Sequence, residues 1–262
     1  MVGGATAERK EGQTMNEQIV RHRTLPEAYH NSLIKLLEFG VDTECPDWNT
    51  TQREIALTMV VNSPLKEPMI SRCFIGGYKE LEQYRQEMLD SILDFEVERG
   101  NWAYTYHQRM EKQIPFVIEE LRRNPYSRRA VVDIRDSADM GSNEPACLQH
   151  IQYFVRNDRL ECAVLFRSND ACKATFMNAF ALIMLQKRIA DELGYKVGSY
   201  THRANSFHCY EKDLPLLIGY VQRILKRESL TFDYAGDWEY LMEDAKSEIA
   251  QMVWELKGRG GK

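Results

Sequence analysis

Pro145 to Tyr210 reads PACLQHIQYFVRNDRLECAVLFRSNDACKATFMNAFALIMLQKRIADELGYKVGSYTHRANSFHCY. Cys147 stands at a turn, and two runs of alternating apolar residues follow it, 148–155 and 160–166. Asn157-Asp158 between them is a turn dipeptide, so the pair is expected to form a β-hairpin. Leu160, Cys162, Val164 and Phe166 share one face of the second strand, which ends in Arg167-Ser168-Asn169-Asp170. Met177 to Leu193 is apolar on most sides and closed by Gly194, the pattern of a buried helix. A strand over 200–208 then delivers His208 and Tyr210.

Outward from this hub, the 262 residues fit one large domain, with 44% hydrophobic and 28% charged residues as in ordinary globular proteins. A net charge of −5 argues against a general nucleic-acid surface, so any bound phosphate must be met by a few local arginines. No apolar run reaches the roughly 18 residues of a membrane span. The first residues lack an apolar signal core, and a cytoplasmic location is expected. The six cysteines, at 45, 73, 147, 162, 172 and 209, show no CxxC spacing, which weighs against zinc and against a disulfide framework. Reduced thiols and no metal are expected.

Residues 1–16 are small, polar and charged and read as a disordered leader, leaving 17–262 as one catalytic domain. A helix is expected from Thr24 or Pro26 to Glu38, ended by Gly40, with Arg21 and Arg23 just ahead of it. Thr43 to Thr51 is turn-rich, and the alternation of Ile55, Leu57, Met59 and Val61 favours a strand over 52–62. A helix from Tyr78 to about Glu98 fits Leu81, Tyr84, Met88, Ile92 and Phe95 on one face. Glu80 and Glu82 near its start suit the helix dipole. Trp102, Tyr104 and Tyr106 mark an aromatic loop or short strand, and a helix over 112–124 is stopped by Pro125. Ser127-Arg128-Arg129 leads into a strand over 130–134, and amphipathic helices over 212–227 and 238–257 complete the chain. Strands and helices mix without a regular βαβ rhythm, so the fold class is a single-domain α/β (α+β) fold.

The hub therefore supplies a thiol nucleophile, an arginine to hold an anion, an amide able to read a base edge, and two partners for sugar hydroxyls. Such a set suits covalent chemistry on a nucleoside monophosphate. C5 of a uracil or cytosine ring is a poor nucleophile, and adding a thiolate to C6 makes C5 able to attack a one-carbon donor. A cationic neighbour such as Arg167 should lower the thiol pKa of Cys147. Asn178 can donate and accept at once, which matches the O4 and N3–H edge of uracil; aspartate would suit cytosine better.

Cys147, the Arg-Ser-x-Asp at 167–170, Asn178 and the His-x-Tyr at 208–210 together resemble the thymidylate synthase family, which includes the pyrimidine nucleotide hydroxymethylases. The resemblance implies that family's fold, a mixed β-sheet flanked by helices and dimerising through the sheet. It also implies 5,10-methylenetetrahydrofolate as co-substrate and a pyrimidine nucleoside monophosphate as substrate. Arg167 and Ser168 would then bind phosphate, with Arg128 and Arg129 reaching in from the partner subunit of a homodimer. Arg23 is matched to the family's mobile N-terminal arginine. His208 and Tyr210 would contact the sugar and Asp170 the pterin. Glu80, with Glu82 as rival, would be the carboxylate that orders water at the base.

Several positions depart from the synthases. Leu148 follows the nucleophile where histidine is usual, Ala174 and Phe176 replace a glycine and a proline, and only Arg23-Thr24 stands for an Arg-Thr-Gly-Thr-Gly loop. Gly258 to Lys262 lacks a short apolar terminus. A changed water network and lid favour water over hydride as the final reactant. The expected reaction is 5-hydroxymethylation of dUMP, ahead of dCMP. A divergent thymidylate synthase is the alternative, and a nucleotide-binding relative without catalysis is an alternative of another class.

Overall fold

The computed structural model describes residues 15–259. The strands are β1 (Glu17–His22), β2 (Val41–Cys45), β3 (Thr50–Val61), β4 (Ile70–Ser71), β5 (Val131–Asp133), β6 (Leu148–Arg156), β7 (Arg159–Phe166), β8 (Asn169–Asp170), β9 (Lys196–Tyr210) and β10 (Thr231–Phe232). The helices are α1 (Leu25–Phe39), α2 (Tyr78–Leu89), α3 (Phe95–Glu98), α4 (Tyr106–Met110), α5 (Ile114–Arg123), α6 (Thr175–Leu193), α7 (Leu214–Leu225) and α8 (Glu239–Arg259).

One mixed sheet runs β1-β3-β9-β7-β6-β5, with β2 paired to β3 and β8 to β9; β4 and β10 form a separate pair. Alternation decides which side of the sheet is covered. Ile55, Leu57 and Met59 of β3, Leu160, Cys162 and Val164 of β7, and Tyr200 and Ala204 of β9 are buried beneath the helices. Thr58, Ala163, Leu165 and Thr201 on the other side are only half-buried, so that face is open in the single chain. Helix α6 is buried along most of its circumference, as its composition predicts, and Gly194 ends it at φ 75°.

Register brings the functional motifs to one end of the sheet. Leu148 at the start of β6 pairs with Phe166 at the end of β7, and Asp170 of β8 pairs with His208 near the end of β9. The hairpin is as expected, with Asn157 and Asp158 both at positive φ (51° and 57°), the geometry of a type I′ turn. Thr24 caps α1 in a capping box with Glu27, and Gly40 ends it.

Several elements differ from expectation. β1 is a strand carrying Arg21, where the sequence suggests only the approach to a helix; it is an edge strand that exposes Ile19, so no alternation marks it. The turn-rich 43–51 segment is a hairpin, β2 paired to β3, whose only non-strand part is Pro46 to Asn49. The long helix over 78–98 breaks after Leu89, because Ser91 takes φ 60° and restarts the chain as α3. Ile92 and Phe95 then pack with Leu93, Ala245, Ile249 and Val253 of α8 in a second small core.

Of the leader expected over 1–16, residues 1–14 lie outside the described residues. Asn16 is already tied in, its carbonyl accepting from the Ala56 N–H at 2.9 Å. Among the described residues no helix is long and apolar enough to cross a membrane.

Candidate active site

Cys147 is a free, half-buried thiol on the turn that enters β6. Arg167 holds that turn: Nε donates to the Ala146 carbonyl at 3.1 Å and Nη2 to the Pro145 carbonyl at 2.8 Å. Its backbone N–H donates to the Cys147 carbonyl at 2.8 Å. Nucleophile and arginine are thus one rigid unit, and the remaining guanidinium hydrogens are available to an anion. Burial pushes the Cys147 thiol above its ordinary 9.0, and Arg167 pulls it back by less. The cation acts in the expected sense, but desolvation outweighs it.

The residues expected on the sugar side lie along β8 and β9. Ser168 Oγ lies 3.2 Å from His208 Nδ1, and the His208 and Tyr210 rings meet edge-on at 4.9 Å. His208 Nε2 is fully buried and has no hydrogen-bond partner among the described residues. Burial lowers the pKa of His208, so it is held neutral. Burial raises the Tyr210 phenol above its ordinary 10.0, with Asp170 adding to the rise and Arg167 opposing it. Asp170 Oδ1 accepts from the Cys172 and Lys173 N–H groups at 3.0 and 2.9 Å. Among the described residues its other oxygen makes no hydrogen bond. Behind this loop His202 Nε2 meets Asn169 Oδ1 at 2.9 Å, and Thr175 Oγ1 donates to the same oxygen at 2.7 Å.

The base side differs from expectation. Glu80 is exposed, and its carboxylate accepts from the Gly77 N–H at 2.7 Å, a helix cap as the dipole argument anticipates. Glu82 is buried in an ion pair with Arg85 at 2.7 Å. Neither hydrogen-bonds to Asn178. That contact belongs to Tyr84, one turn beyond Glu80, whose phenol donates to Asn178 Oδ1. Glu87, further along the same stripe, is largely desolvated and its pKa is raised, with a Gln83 hydrogen bond opposing. Both Glu87 and Cys147 are among the charges bearing on Tyr84.

Two more tyrosines lie beside the turn that carries Cys147. Tyr104 and Tyr106 pack at 5.8 Å, and Tyr106 Oη accepts from the Leu148 N–H at 3.3 Å. Asp94 positions them by accepting from Thr105 Oγ1 and meeting His107 Nδ1 at 2.6 Å. Their alternation is visible in the sequence, but nothing there joins them to Cys147. Tyr84 carries only a core signal, since it sits on a helical apolar face.

A family model described as thymidylate synthase matches residues 78–240, which takes in the Cys147 turn, the 167–170 motif, Asn178 and His208-x-Tyr210. The chain belongs to the thymidylate synthase family. It is accordingly a one-carbon transferase. A Methanocaldococcus jannaschii protein named "Putative thymidylate synthase" is 31% identical over 220 residues, covering 79% of this chain and 97% of that relative. A Methanosarcina barkeri relative with the same name is 27% identical over 210 residues, covering 79% and 96%. Among solved structures, thermostable thymidylate synthase A from Bacillus subtilis superposes with a TM-score of 0.61 at 16% identity, covering 76% of this chain and 84% of that one. The last likeness bears on the fold alone.

Within this family member three expected phosphate ligands stand apart from Cys147. Arg23 follows β1, whose end aligns with Val61 and hence with Tyr200 on β9. His208 lies roughly 26 Å of strand away from Tyr200, so the structure does not bring Arg23 to its own site. Its register, set by the unrecognised strand β1, is the reason. Arg128 and Arg129 are exposed ahead of β5, where Val131 pairs with Gln152. That is roughly 20 Å along the sheet from Cys147, so within one chain they cannot join Arg167.

Proposed function

We propose that this chain transfers a one-carbon unit from 5,10-methylenetetrahydrofolate to C5 of a pyrimidine nucleoside monophosphate, through a bond between Cys147 Sγ and C6. The observation that carries the reading is the coupling of a half-buried thiol to Arg167 through the Pro145–Cys147 turn, at the sheet end that also presents Asn178 and His208. Arg167 and Ser168 hold the phosphate, joined by Arg128 and Arg129 of a second copy in a homodimer. His208 and Tyr210 meet the sugar, and Asp170 receives the pterin. As the thiolate adds to C6, the ring electrons move toward C5, which bonds to the one-carbon unit. Loss of the C5 proton and cleavage of the methylene–nitrogen bond release tetrahydrofolate, water adds to the exocyclic methylene carbon, and departure of the sulfur restores the ring.

The product we favour is the 5-hydroxymethyl nucleotide, with dUMP ahead of dCMP. The buried apolar Leu148 beside the nucleophile, and Ala174 and Phe176 at the start of α6, change the part of the site that governs water. Reductive methylation to dTMP is the second reading, favoured by the names of the methanogen relatives. Incubation with methylenetetrahydrofolate and each of UMP, CMP, dUMP and dCMP, followed by weighing the products, separates them. A methyl gain with dihydrofolate formed defeats the first reading. Cys147→Ala is expected to abolish turnover and C5 tritium release while nucleotide binding persists, and turnover surviving in that variant defeats the mechanism.

A further inference from the structure

Asn178 is 3% exposed on the first turns of α6, and its amide has two chemically opposite ends. The oxygen accepts from the Tyr84 phenol, and among the described residues the phenol makes no other hydrogen bond. Among the described residues the nitrogen has no partner, yet it is not among the sealed, partnerless polar atoms, which are Tyr153 Oη, Gln186 Oε1 and His208 Nε2. It therefore retains some solvent access. Burial drives the Tyr84 phenol well above its ordinary 10.0, so at any physiological pH it remains a donor.

An unrestrained amide could turn over, offering its oxygen to the amino group of a cytosine or its nitrogen to the O4 of a uracil. Turning this one over would face Tyr84 with another donor and leave the phenolic hydrogen without an acceptor in a part-buried setting, which is costly. We propose that Tyr84 locks Asn178 with its N–H group toward the base, and thereby makes the site select an acceptor at the pyrimidine 4-position, a uracil rather than a cytosine nucleotide. The inference rests on the nucleotide reading above. It assigns to a tyrosine on α2 a role in base choice that the sequence reading gave to Asn178 alone.

Calorimetric titration of the full chain with dUMP and with dCMP tests it. The unaltered protein is expected to bind dUMP more tightly. Tyr84→Phe removes the lock and is expected to shrink the dUMP-to-dCMP affinity ratio by about tenfold, the equivalent of one hydrogen bond of roughly 1.4 kcal/mol. Asn178→Asp keeps Tyr84 but presents a second acceptor, and is expected to reverse the preference. A ratio unmoved in Tyr84→Phe overturns the proposal; so does a dUMP preference retained in Asn178→Asp, which is informative even if the first variant folds poorly. Failure of the unaltered chain to bind either nucleotide would instead refute the nucleotide reading itself.

Discussion

At the scale of single residues, opposed effects of burial decide the chemistry. Cys147 is pushed up by desolvation and eased by Arg167, so its thiolate depends on that one cation. Glu87 shows the same desolvation at a carboxyl group, with its folded pKa raised above 4.5. Such a group binds its proton more tightly in the folded state, so stability is full below pH 4.5 and falls as pH rises from there through the raised folded value. Glu87→Gln should flatten that fall and raise the unfolding midpoint at pH 7, with little change at pH 4. Thermal melts of both proteins across pH 4–7 measure it, and parallel curves would show that Glu87 is not desolvated. The motif residues Cys147, Arg167, Ser168, Asp170, Asn178, His208 and Tyr210 were legible because each lies in a short local pattern. Tyr84 and Glu87 were not, since a polar tip on an apolar helix face looks in sequence like ordinary packing.

At the scale of elements, turn chemistry was the most readable feature and strand edges the least. The 157–158 turn places Asp158 at φ 57°, a conformation that glycine adopts without a Cβ clash. Asp158→Gly should therefore stabilise the hairpin by about 0.5 kcal/mol, reduced from the full relief by the extra freedom of the unfolded chain. The urea midpoint reads this directly, and a lower midpoint would contradict the type I′ geometry. β1 and β2 escaped the reading because an edge strand buries little on either face; β1 also has its partner β3 far along the chain, whereas β2 lies in a segment rich in turn-forming residues. The expected continuous helix failed at Ser91 because the periodicity of Ile92 and Phe95 is real but serves another core, the one shared with α8.

At the scale of the whole molecule, the open sheet face and the distant Arg128-Arg129 pair point the same way. A half-apolar face with Ala163 and Leu165 at its centre suits a second copy of the chain. Two inactive variants, Cys147→Ala and the double Arg128→Ala, Arg129→Ala, should regain activity when co-expressed, since a mixed dimer has one complete site. Random pairing predicts about a quarter of the unaltered site number. No recovery in a confirmed mixed dimer would mean that the arginines do not serve the neighbouring subunit.

The sequence alone determined the family's motifs and the mixed α/β class, because spacing and alternation within short segments carry that information. Only the tertiary structure decided which group meets Asn178, which glutamates merely cap or pair, and that Arg23 sits at the wrong end of the sheet. Those outcomes depend on α2 packing against α6 across a separation of 94 residues, and on the register of β1 beside β3. Contacts made by packing at such range leave no periodic trace in the chain that makes them.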